Sequence, residues 1–248
     1  MSEPGMQRVL ALLDDSRPGI AALGAAAALA EQARVELVAL FVEDLDLLHS
    51  AAFPFSREVG ASTGLARPLS AAELETRLTR QARHIDRALR HAVAGRTLRH
   101  RLQVSRGRVV SEALAAVAPG DVLVLGKAGP SARWGARLGS TSRRLLFEAP
   151  CTVMIWDERH ALTPGPLRHL RGEAPALPWG EAPAESLRQH PLFSGREELV
   201  PTGAAALARS LAHARSGALV LTRATLGRLI GEEPELLARL PIPVVVVP

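Results

Sequence analysis

The amino-acid sequence predicts an α/β fold: an open, parallel five-stranded sheet with helices on both faces, followed by a smaller related α/β half-domain. Two observations support this prediction. Between residues 7 and 157, short apolar runs alternate with helical patterns, as in a parallel sheet that is buried on both faces. Part of this pattern then recurs near the carboxyl end of the chain.

The composition of the 248-residue chain narrows the class of protein. Hydrophobic residues make up 47% and charged residues 22%, which is typical of a globular protein. The net charge of +5 could suit nucleic acid, but the arginines are scattered and aromatic residues make up only 3%, so few side chains can stack on bases. We therefore expect no nucleic-acid partner.

Membrane contact is not expected either. The longest nearly apolar stretch, residues 19–30, is shorter than the roughly 20 residues that a membrane span requires. Residues 1–7 lack the basic and apolar regions of a secretory signal. The sequence therefore predicts a cytoplasmic protein.

The first strand is predicted over residues 8–13 and the first helix over residues 18–33. Ser16 can cap this helix, and Pro18 suits its first turn because no amide hydrogen is needed there. The helix is rich in alanine, and small side chains allow a helix to lie close to a sheet. A second apolar strand is predicted over residues 36–42.

The segment of residues 45–68 is expected to be irregular, because Pro, Gly and Ser recur throughout it. Ser70 and Glu73 then form a capping box, and the helical spacing of apolar residues after it predicts an amphipathic helix over residues 71–93. Alternating apolar and polar residues over 98–104 predict a half-exposed edge strand.

The remaining predicted elements of the first unit complete the sheet and place two strand ends beside one crevice. A helix is predicted from Gly107 to Val117, a fourth strand over residues 121–125, a helix over residues 140–148 and a fifth strand over residues 151–156. In parallel sheets, ligands bind beyond the carboxyl ends of the strands, where the strand order reverses. Asp14 and Gly126 each follow such a strand end and are expected to share one crevice.

The loop after the fourth strand carries the clearest chemical signal. It reads Gly126-Lys127-Ala128-Gly129, then nine residues, then Gly139-Ser140-Thr141. Successive backbone amides of such a loop can form an anion nest, and the following helix adds its positive end. The basic side chains that could neutralise phosphate charge are Lys127, Arg133 and Arg137. The loop predicts a phosphate site; a tight turn without a ligand is the alternative.

The spacing G-x2-G-x9-G-[S/T] resembles the ATP-binding signature of the universal stress protein family. Residues 145–154 (LLFEAPCTVM) are similar to the family's helix ending in APCPV and its last strand. Residues 9–16 resemble its first strand ending in Asp-Gly-Ser, with Asp15 in place of glycine, and residues 36–44 resemble its second strand, with Phe41 in place of histidine. The resemblance covers about residues 7–157 and implies a Rossmann-like fold of the adenine-nucleotide α-hydrolase type.

The resemblance also implies an ATP site. It does not decide whether Mg²⁺ binds together with ATP. Asp14 matches the family's acidic residue near the ribose and adenine, and Val42 matches the backbone position that recognises the adenine edge. The residues implied to hold the phosphates are Gly126, Gly129, Gly139, Ser140 and Thr141. Asp15 departs from the family pattern, and we expect its negative charge to weaken nucleotide binding. Asp14 has an alternative role as a cap of the first helix.

An internal repeat predicts the second unit. Residues 217–224 (GALVLTRA) parallel residues 121–128 (DVLVLGKA), but the second copy lacks the loop glycines, so we expect no ATP site there. Its predicted elements are strands over residues 198–200, 219–221 and 242–247 and a helix over residues 204–214. The chain thus divides into a universal-stress-type nucleotide-binding domain (residues 1–157), a linker or irregular connection (158–198) and a degenerate half-domain (199–248).

The family resemblance predicts how the two units associate. Family members commonly pair through their last strands, so residues 151–156 and 242–247 are expected to pair antiparallel within one chain. This arrangement is an intrachain pseudo-dimer, and a homodimer of two such chains is left open.

No catalytic or metal-binding motif is recognisable. The eight histidines show no metal-ligand spacing, G-x-S-x-G is absent, and the single cysteine, Cys151, excludes an internal disulfide and a CxxC site. We expect an ATP-binding stress or signalling module without strong catalysis, slow hydrolysis being left open. Two alternatives are a nucleotide-independent family member that contacts an unidentified protein, and an enzyme that uses ATP. Such enzymes usually carry S-G-G-x-D-S, whereas this chain has Leu13-Asp14-Asp15-Ser16.

Overall fold

The computed structural model describes residues 6–60, 63–127, 138–160, 162–173, 177 and 192–248. In chain order, these residues form β1 (Arg8–Leu13), α1 (Arg17–Ala33), β2 (Glu36–Asp44), α2 (Leu45–Ala51), β3 (Arg57–Val59), β4 (Ala66–Pro68), α3 (Ala71–Val93), β5 (His100–Gly107), α4 (Val109–Ala116), β6 (Val122–Gly126), α5 (Ser140–Glu148), β7 (Thr152–Trp156), β8 (Gly165–Leu170), β9 (Phe193–Leu199), α6 (Ala204–Leu211), β10 (Ala218–Thr222), α7 (Arg223–Glu232), α8 (Leu236–Arg239) and β11 (Val244–Val247).

One nine-stranded sheet runs through both units, in the order β5-β2-β1-β6-β7-β11-β10-β8-β9. Its first five strands are parallel to one another, which confirms the predicted α/β fold of the first unit. The chain moves outward from β1 to β2 and β5 and then returns to β6 on the other side of β1. The strand order therefore reverses between β1 and β6, which is where such sheets bind ligands.

Two apolar layers cover the sheet because alternate residues of each strand point to opposite faces. Val9 and Ala11 of β1 belong to one layer with α1 and α3. Leu10 belongs to the other layer with α4 and α5. Most alanines of α1 are buried, since their small side chains allow this helix to lie close against the strands. No helix among the described residues is long and apolar enough to cross a membrane.

Side-chain caps fix the starts of the two long helices. The Ser16 hydroxyl accepts a hydrogen bond from the Gly19 amide at 3.1 Å, and the Ser70 hydroxyl accepts one from the Glu73 amide at 3.4 Å. Such caps contribute about 1 kcal/mol each. Both predicted caps are confirmed, and α3 has the predicted bounds.

The predicted pairing of the last strands is confirmed. β7 and β11 pair antiparallel, with Val245 opposite Met154 and Val246 opposite Val153. Arg223 strengthens this junction from the second unit: its guanidinium donates to the carbonyl oxygens of Ala149 and Cys151, the latter at 2.9 Å. The two units of one chain therefore form a pseudo-dimer with a continuous sheet.

The predicted linker at residues 158–198 has to be revised. It contains β8, which pairs with β10 on one side and β9 on the other, and β9 begins at Phe193 rather than at residue 198. The order β11-β10-β8-β9 repeats β7-β6-β1-β2. The second unit is therefore more complete than the later half of a domain, although its described residues contain no counterpart of α3 or β5.

The segment at residues 45–68 is also more regular than expected. Asp44 caps α2 by accepting a hydrogen bond from the Asp46 amide at 2.9 Å, and β3 and β4 form a two-stranded hairpin. Each of these elements is too short to give a recognisable period in the sequence, and the hairpin strands are mostly exposed.

Candidate functional site

A cavity of about 400 Å³ opens where the strand order reverses. Most of its wall is apolar and comes from the ends of β1, β2 and β6 and from α2, α3 and α4. These apolar residues are Leu12, Leu13, Phe41, Val42, Leu47, Leu78, Val109 and Leu125. Polar residues complete the wall, and they are Asp14, Ser16, Asp44, Gln81, Ser140, Thr141 and Ser142, together with Gly126 and Gly139.

Six of the seven predicted site residues line this cavity, although they come from four separate segments of the chain. They are Asp14, Val42, Gly126, Gly139, Ser140 and Thr141. The seventh, Gly129, lies in residues 128–137 with Arg133 and Arg137, outside the described part of the chain.

Asp14 supports the cap of α1 and also lines the cavity. Its Oδ1 atom accepts hydrogen bonds from the Ser16 amide at 3.2 Å and from the Ser16 hydroxyl at 2.5 Å, while Ser16 itself caps the helix through the Gly19 amide. The two roles considered for Asp14 are therefore compatible. Its carboxylate orients the capping serine and is still exposed at the edge of the cavity.

Asp15 holds a backbone conformation that usually requires glycine. Its φ angle is 63°, in the left-handed region that costs an L-residue about 1 kcal/mol. This angle is a physical reason for the glycine at this place in the family pattern. The Asp15 carboxylate contacts Nδ1 of His84 and lines a groove on α3. Its charge is thus beside His84 and not among the groups that line the cavity.

Gly126 has a packing role besides its place in the cavity wall. A β-carbon at this position would lie 2.5 Å from the Pro18 carbonyl carbon and 2.6 Å from the Gly19 amide nitrogen. These distances are far below van der Waals contact, so only glycine lets the start of α1 approach the end of β6. A substitution here would disturb the fold as well as any ligand.

The start of α5 faces the cavity without a side-chain cap. Gly139 is the N-cap residue, no side chain of the described residues caps the helix there, and the first turn contains no acidic residue. The hydroxyls of Ser140, Thr141 and Ser142 lie beside these amides in the cavity wall. Uncapped amides and the positive end of the helix dipole suit an anion such as a phosphate.

Lys127 does not serve the predicted phosphate role. Its ammonium group is buried and donates to Oδ2 of Asp157 at 3.1 Å and to the carbonyl oxygen of Leu240. Burial lowers the pKa of Lys127, and the Asp157 carboxylate partly offsets this effect. This lysine therefore ties the start of the glycine loop to the segment before β11.

Asp157 is the ionised partner of this buried pair. Burial alone would raise the pKa of its carboxyl group, but hydrogen bonds from Arg159 and the charge of Lys127 lower the pKa to about 2. Asp157 also accepts hydrogen bonds from the Arg159 amide at 2.9 Å and from its side chain at 3.1 Å. The carboxylate thus stays charged at neutral pH.

Sequence analysis missed Asp44, Gln81 and Ser142 as site residues. Asp44 ends β2, so the rule that parallel strands meet at their carboxyl ends could have found it. Ser142 directly follows the predicted Ser140-Thr141 pair. Gln81 comes from the middle of α3, and no local signal identifies it, because its position depends on how α3 packs on the sheet.

The second unit repeats the fold around this site without its polar groups. Arg171 follows β8 as Asp14 follows β1, and Gly172 has a φ of 76° where Asp15 has 63°. After β10, Thr222 caps α7 at once by accepting a hydrogen bond from the Thr225 amide at 3.2 Å. The place of the acidic residue is therefore basic, and no loop corresponding to residues 127–139 intervenes.

Comparisons with known proteins agree with this architecture. A model of the universal stress protein family matches residues 5–156. The chain is 14% identical to a universal stress protein from Archaeoglobus fulgidus, with a TM-score of 0.59 and 97% of each chain covered. It is 13% identical to a functionally unknown protein from Pseudomonas aeruginosa PAO1, with a TM-score of 0.55, 98% of this chain and 92% of that chain being covered.

A third solved structure matches a smaller share of the chain. The universal stress protein UspA from Lactobacillus plantarum is 22% identical, with a TM-score of 0.45, and the match covers 62% of this chain and 99% of that one. A search of curated proteins gives no match.

Proposed function

The chain belongs to the universal stress protein family, and we propose that its first unit binds ATP and works as a nucleotide-responsive stress or signalling module. The observation that carries this proposal is the cavity at the β1–β6 reversal, which six separately predicted residues line. A volume of about 400 Å³ lies within the range of small-molecule sites, roughly 300–1,000 Å³.

The adenosine end of the proposed site is the apolar wall around β1 and β2. The register of these two strands ends at Leu13 opposite Phe41, so Val42 is the first residue of β2 beyond this pairing. Its peptide groups are well placed to recognise an adenine edge, and the leucines around it offer an apolar surface for the ring. Asp14, one residue past β1, is suited to accept hydrogen bonds from ribose hydroxyls.

The phosphate end is the start of α5. Its uncapped amides and the hydroxyls of Ser140 and Thr141 supply donors of the kind that bind phosphate oxygens. Asp14 and Asp44 are the charged residues of the described cavity wall, and both are acidic. We therefore propose that Mg²⁺ accompanies ATP, because the ion would offset repulsion between these carboxylates and the phosphates.

Strong catalysis is not part of the proposal. The described wall of the cavity contains no histidine, lysine or arginine, so groups that commonly act on a phosphoryl group in other proteins are missing from that part. Asp14 is already engaged with Ser16. We expect a binding module with slow turnover at most.

Replacing Gly139 by aspartate tests this proposal at a position whose backbone angles accept a side chain. The backbone angles of Gly139, φ −59° and ψ 151°, suit any L-residue, and aspartate at an N-cap stabilises a helix. The new carboxylate would occupy the proposed phosphate position. We expect Gly139→Asp to weaken ATP binding at least about tenfold, which corresponds to about 1.4 kcal/mol, with no loss of thermal stability.

Gly139→Asn is the matched control, because asparagine caps the helix without adding a charge. Calorimetric titration of the nucleotide-free proteins with ATP, ADP and AMP measures the effect. Equal ATP affinities for the Asp and Asn variants would contradict the placement of the phosphates at α5.

A nucleotide-independent role in protein contact is the second candidate. Phe53 and Phe55 stack with their ring centroids 5.5 Å apart, yet they are 54% and 78% exposed. Exposed aromatic pairs of this kind are found at protein-binding surfaces. Normal function of the Gly139→Asp protein in a cell lacking the wild type would favour this candidate over ATP binding.

A further inference from the structure

A basic groove lies along α3, next to the nucleotide cavity. It is an open depression of about 730 Å³, lined by Asp15 and by side chains of α3. Four arginines face it, whereas its acidic residues are Asp15 and Asp86. The four arginines are Arg77, Arg80, Arg83 and Arg87. Positive charge is therefore in excess in this groove.

Three of these arginines have no carboxylate partner in the described part of the chain. Arg77 pairs with Glu58 at 3.1 Å, Asp86 pairs with Arg90 at 2.8 Å, and Asp15 contacts His84. No ion pair is found for Arg80, Arg83 or Arg87 among the described residues. The groove thus presents three guanidinium groups that form no ion pair with a described carboxylate.

The helix aligns these three groups on one side. They are separated by three and four residues, so they share one face of α3. The opposite face carries the buried residues Leu78, Ile85 and Leu89, which fix the rotation of the helix against the sheet. The arginines are therefore held in a row about 10 Å long, at 1.5 Å per residue.

The groove and the cavity proposed to hold the nucleotide are adjacent. Gln81 lines both of them, and the consecutive residues Asp14 and Asp15 line the cavity and the groove respectively. The groove therefore begins beside the carboxylate proposed to hold the ribose. The start of α5 belongs to the other apolar layer, so an anion in the groove would be distinct from the phosphates at α5.

We propose that this groove is a second anion subsite, which receives a phosphate group carried on the 2′ or 3′ oxygen of the ribose of a bound adenine nucleotide. The inference rests on the proposed nucleotide site. It extends that proposal by naming the ligand class, which is adenine nucleotides phosphorylated on the ribose as well as at the 5′ position.

The dimensions of the groove favour such a compact group over a nucleic acid. The row of free arginines is about 10 Å long, enough for one or two phosphates but short for a strand. Asp15 and Asp86 also lie in the groove, and their charges would repel an extended polyanion. A phosphate group suits arginine side chains, because the planar guanidinium can donate two charge-assisted hydrogen bonds to its oxygens.

The test compares matched ligands on the full chain. Titration with AMP and with adenosine 3′,5′-bisphosphate or 2′,5′-bisphosphate isolates the extra phosphate. We expect one of the bisphosphates to bind about tenfold more tightly than AMP at low salt. The triple variant Arg80→Gln, Arg83→Gln, Arg87→Gln is expected to lose this preference while its AMP affinity stays within about twofold.

A second triple variant controls for the change in net charge. Arg196, Arg209 and Arg215 are exposed residues of the second unit, and replacing all three by glutamine removes the same charge far from the groove. This protein is expected to retain the preference for the bisphosphate.

The outcomes distinguish the two proposals. If ATP and AMP bind but neither bisphosphate binds more tightly, the subsite is refuted and the ATP site stands. If no adenine nucleotide binds, the proposed function fails and the subsite falls with it. If a single-stranded RNA binds with ATP present and the groove variant abolishes that binding, the groove is a nucleic-acid surface, which overturns the inference.

Discussion

Lys127 is the only lysine of the chain, and it lies at the junction of the two units. It follows Gly126 directly, yet its side chain turns away from the cavity to Asp157 and to the carbonyl of Leu240. A buried ammonium group needs such partners, since an isolated buried charge is strongly destabilising. From the sequence, Lys127 was a candidate to neutralise phosphate charge because it lies in the glycine loop. Its contacts with residues that are distant along the chain become visible only in the structure.

The low pKa of Asp157 predicts a dependence of stability on pH. Its pKa falls from 3.8 to about 2 in the folded chain, so folding favours the ionised form. This stabilisation is complete above the unfolded pKa and is lost as the pH falls toward 2. We expect the free energy of unfolding of the wild type to fall by about 2 kcal/mol more between pH 5 and pH 2 than that of Asp157→Asn.

Urea unfolding at a series of pH values measures this difference. The comparison uses the change with pH within each protein, because asparagine cannot ionise and Asp157→Asn already lacks the charge contact with Lys127 at pH 5. If the free energy of unfolding changed with pH equally in the two proteins, Asp157 would have an ordinary pKa in the folded chain.

The N-cap of α1 connects helix stability with the proposed ribose contact. Ser16 caps the helix and is itself held by Asp14. Ser16→Ala is expected to lower the free energy of unfolding by about 1 kcal/mol and to weaken ATP binding about fivefold, because Asp14 loses the partner that orients it.

Ser70→Ala is the matched control for this element. It removes the cap of α3 at a position that does not line the cavity. We expect thermal unfolding to show a similar loss of stability for this variant. Its ATP affinity is expected to be unchanged. Equal effects of both substitutions on ATP binding would mean that Ser16 acts through general stability alone.

The elements that could be predicted from the sequence are those with a strong period or cap. α3 combines the capping box at Ser70 with apolar residues at helical spacing, and its bounds were predicted to the residue. β8 has only six residues, GPLRHL, of which Pro166 is one, so its pattern does not separate it from a loop. It is a strand because β10 and β9 pair with it on both sides.

The candidate site was predictable where residues follow strand ends. Asp14 and Gly126 could be placed because the carboxyl ends of parallel strands meet at one edge of the sheet, whereas Val42 was implied only by the family resemblance. Gln81 and the arginines of α3 could not, since their positions depend on how the helix packs. The clash that a β-carbon would cause at Gly126 is likewise visible only when α1 is in place.

At the scale of the whole molecule, the last strand of the first unit, β7, pairs with a strand of the same chain. The family resemblance implies that such strands commonly pair between family members. β11 covers β7, so the ends of the sheet are β5 and β9. Both carry charged side chains: Arg106 of β5 pairs with Glu43 at 2.7 Å, and Glu198 of β9 pairs with Arg171 at 2.6 Å. Charged edges resist further strand pairing, so we propose that neither edge of the sheet pairs with a second chain.

The second unit repeats four strands of the first unit but not its chemistry. The first unit has Asp14 and an uncapped α5 at the strand reversal, whereas the second has Arg171 and a capped α7 at the equivalent places. We therefore propose one nucleotide site in a chain that contains two related units.

Calorimetric titration of the nucleotide-free full chain with ATP and Mg²⁺ tests this central claim most directly. We expect a stoichiometry of one ATP per chain and a strongly weakened titration for Gly139→Asp. Two ATP molecules per chain would show that the second unit has kept a site. The absence of binding to the wild-type chain would contradict the ATP site itself.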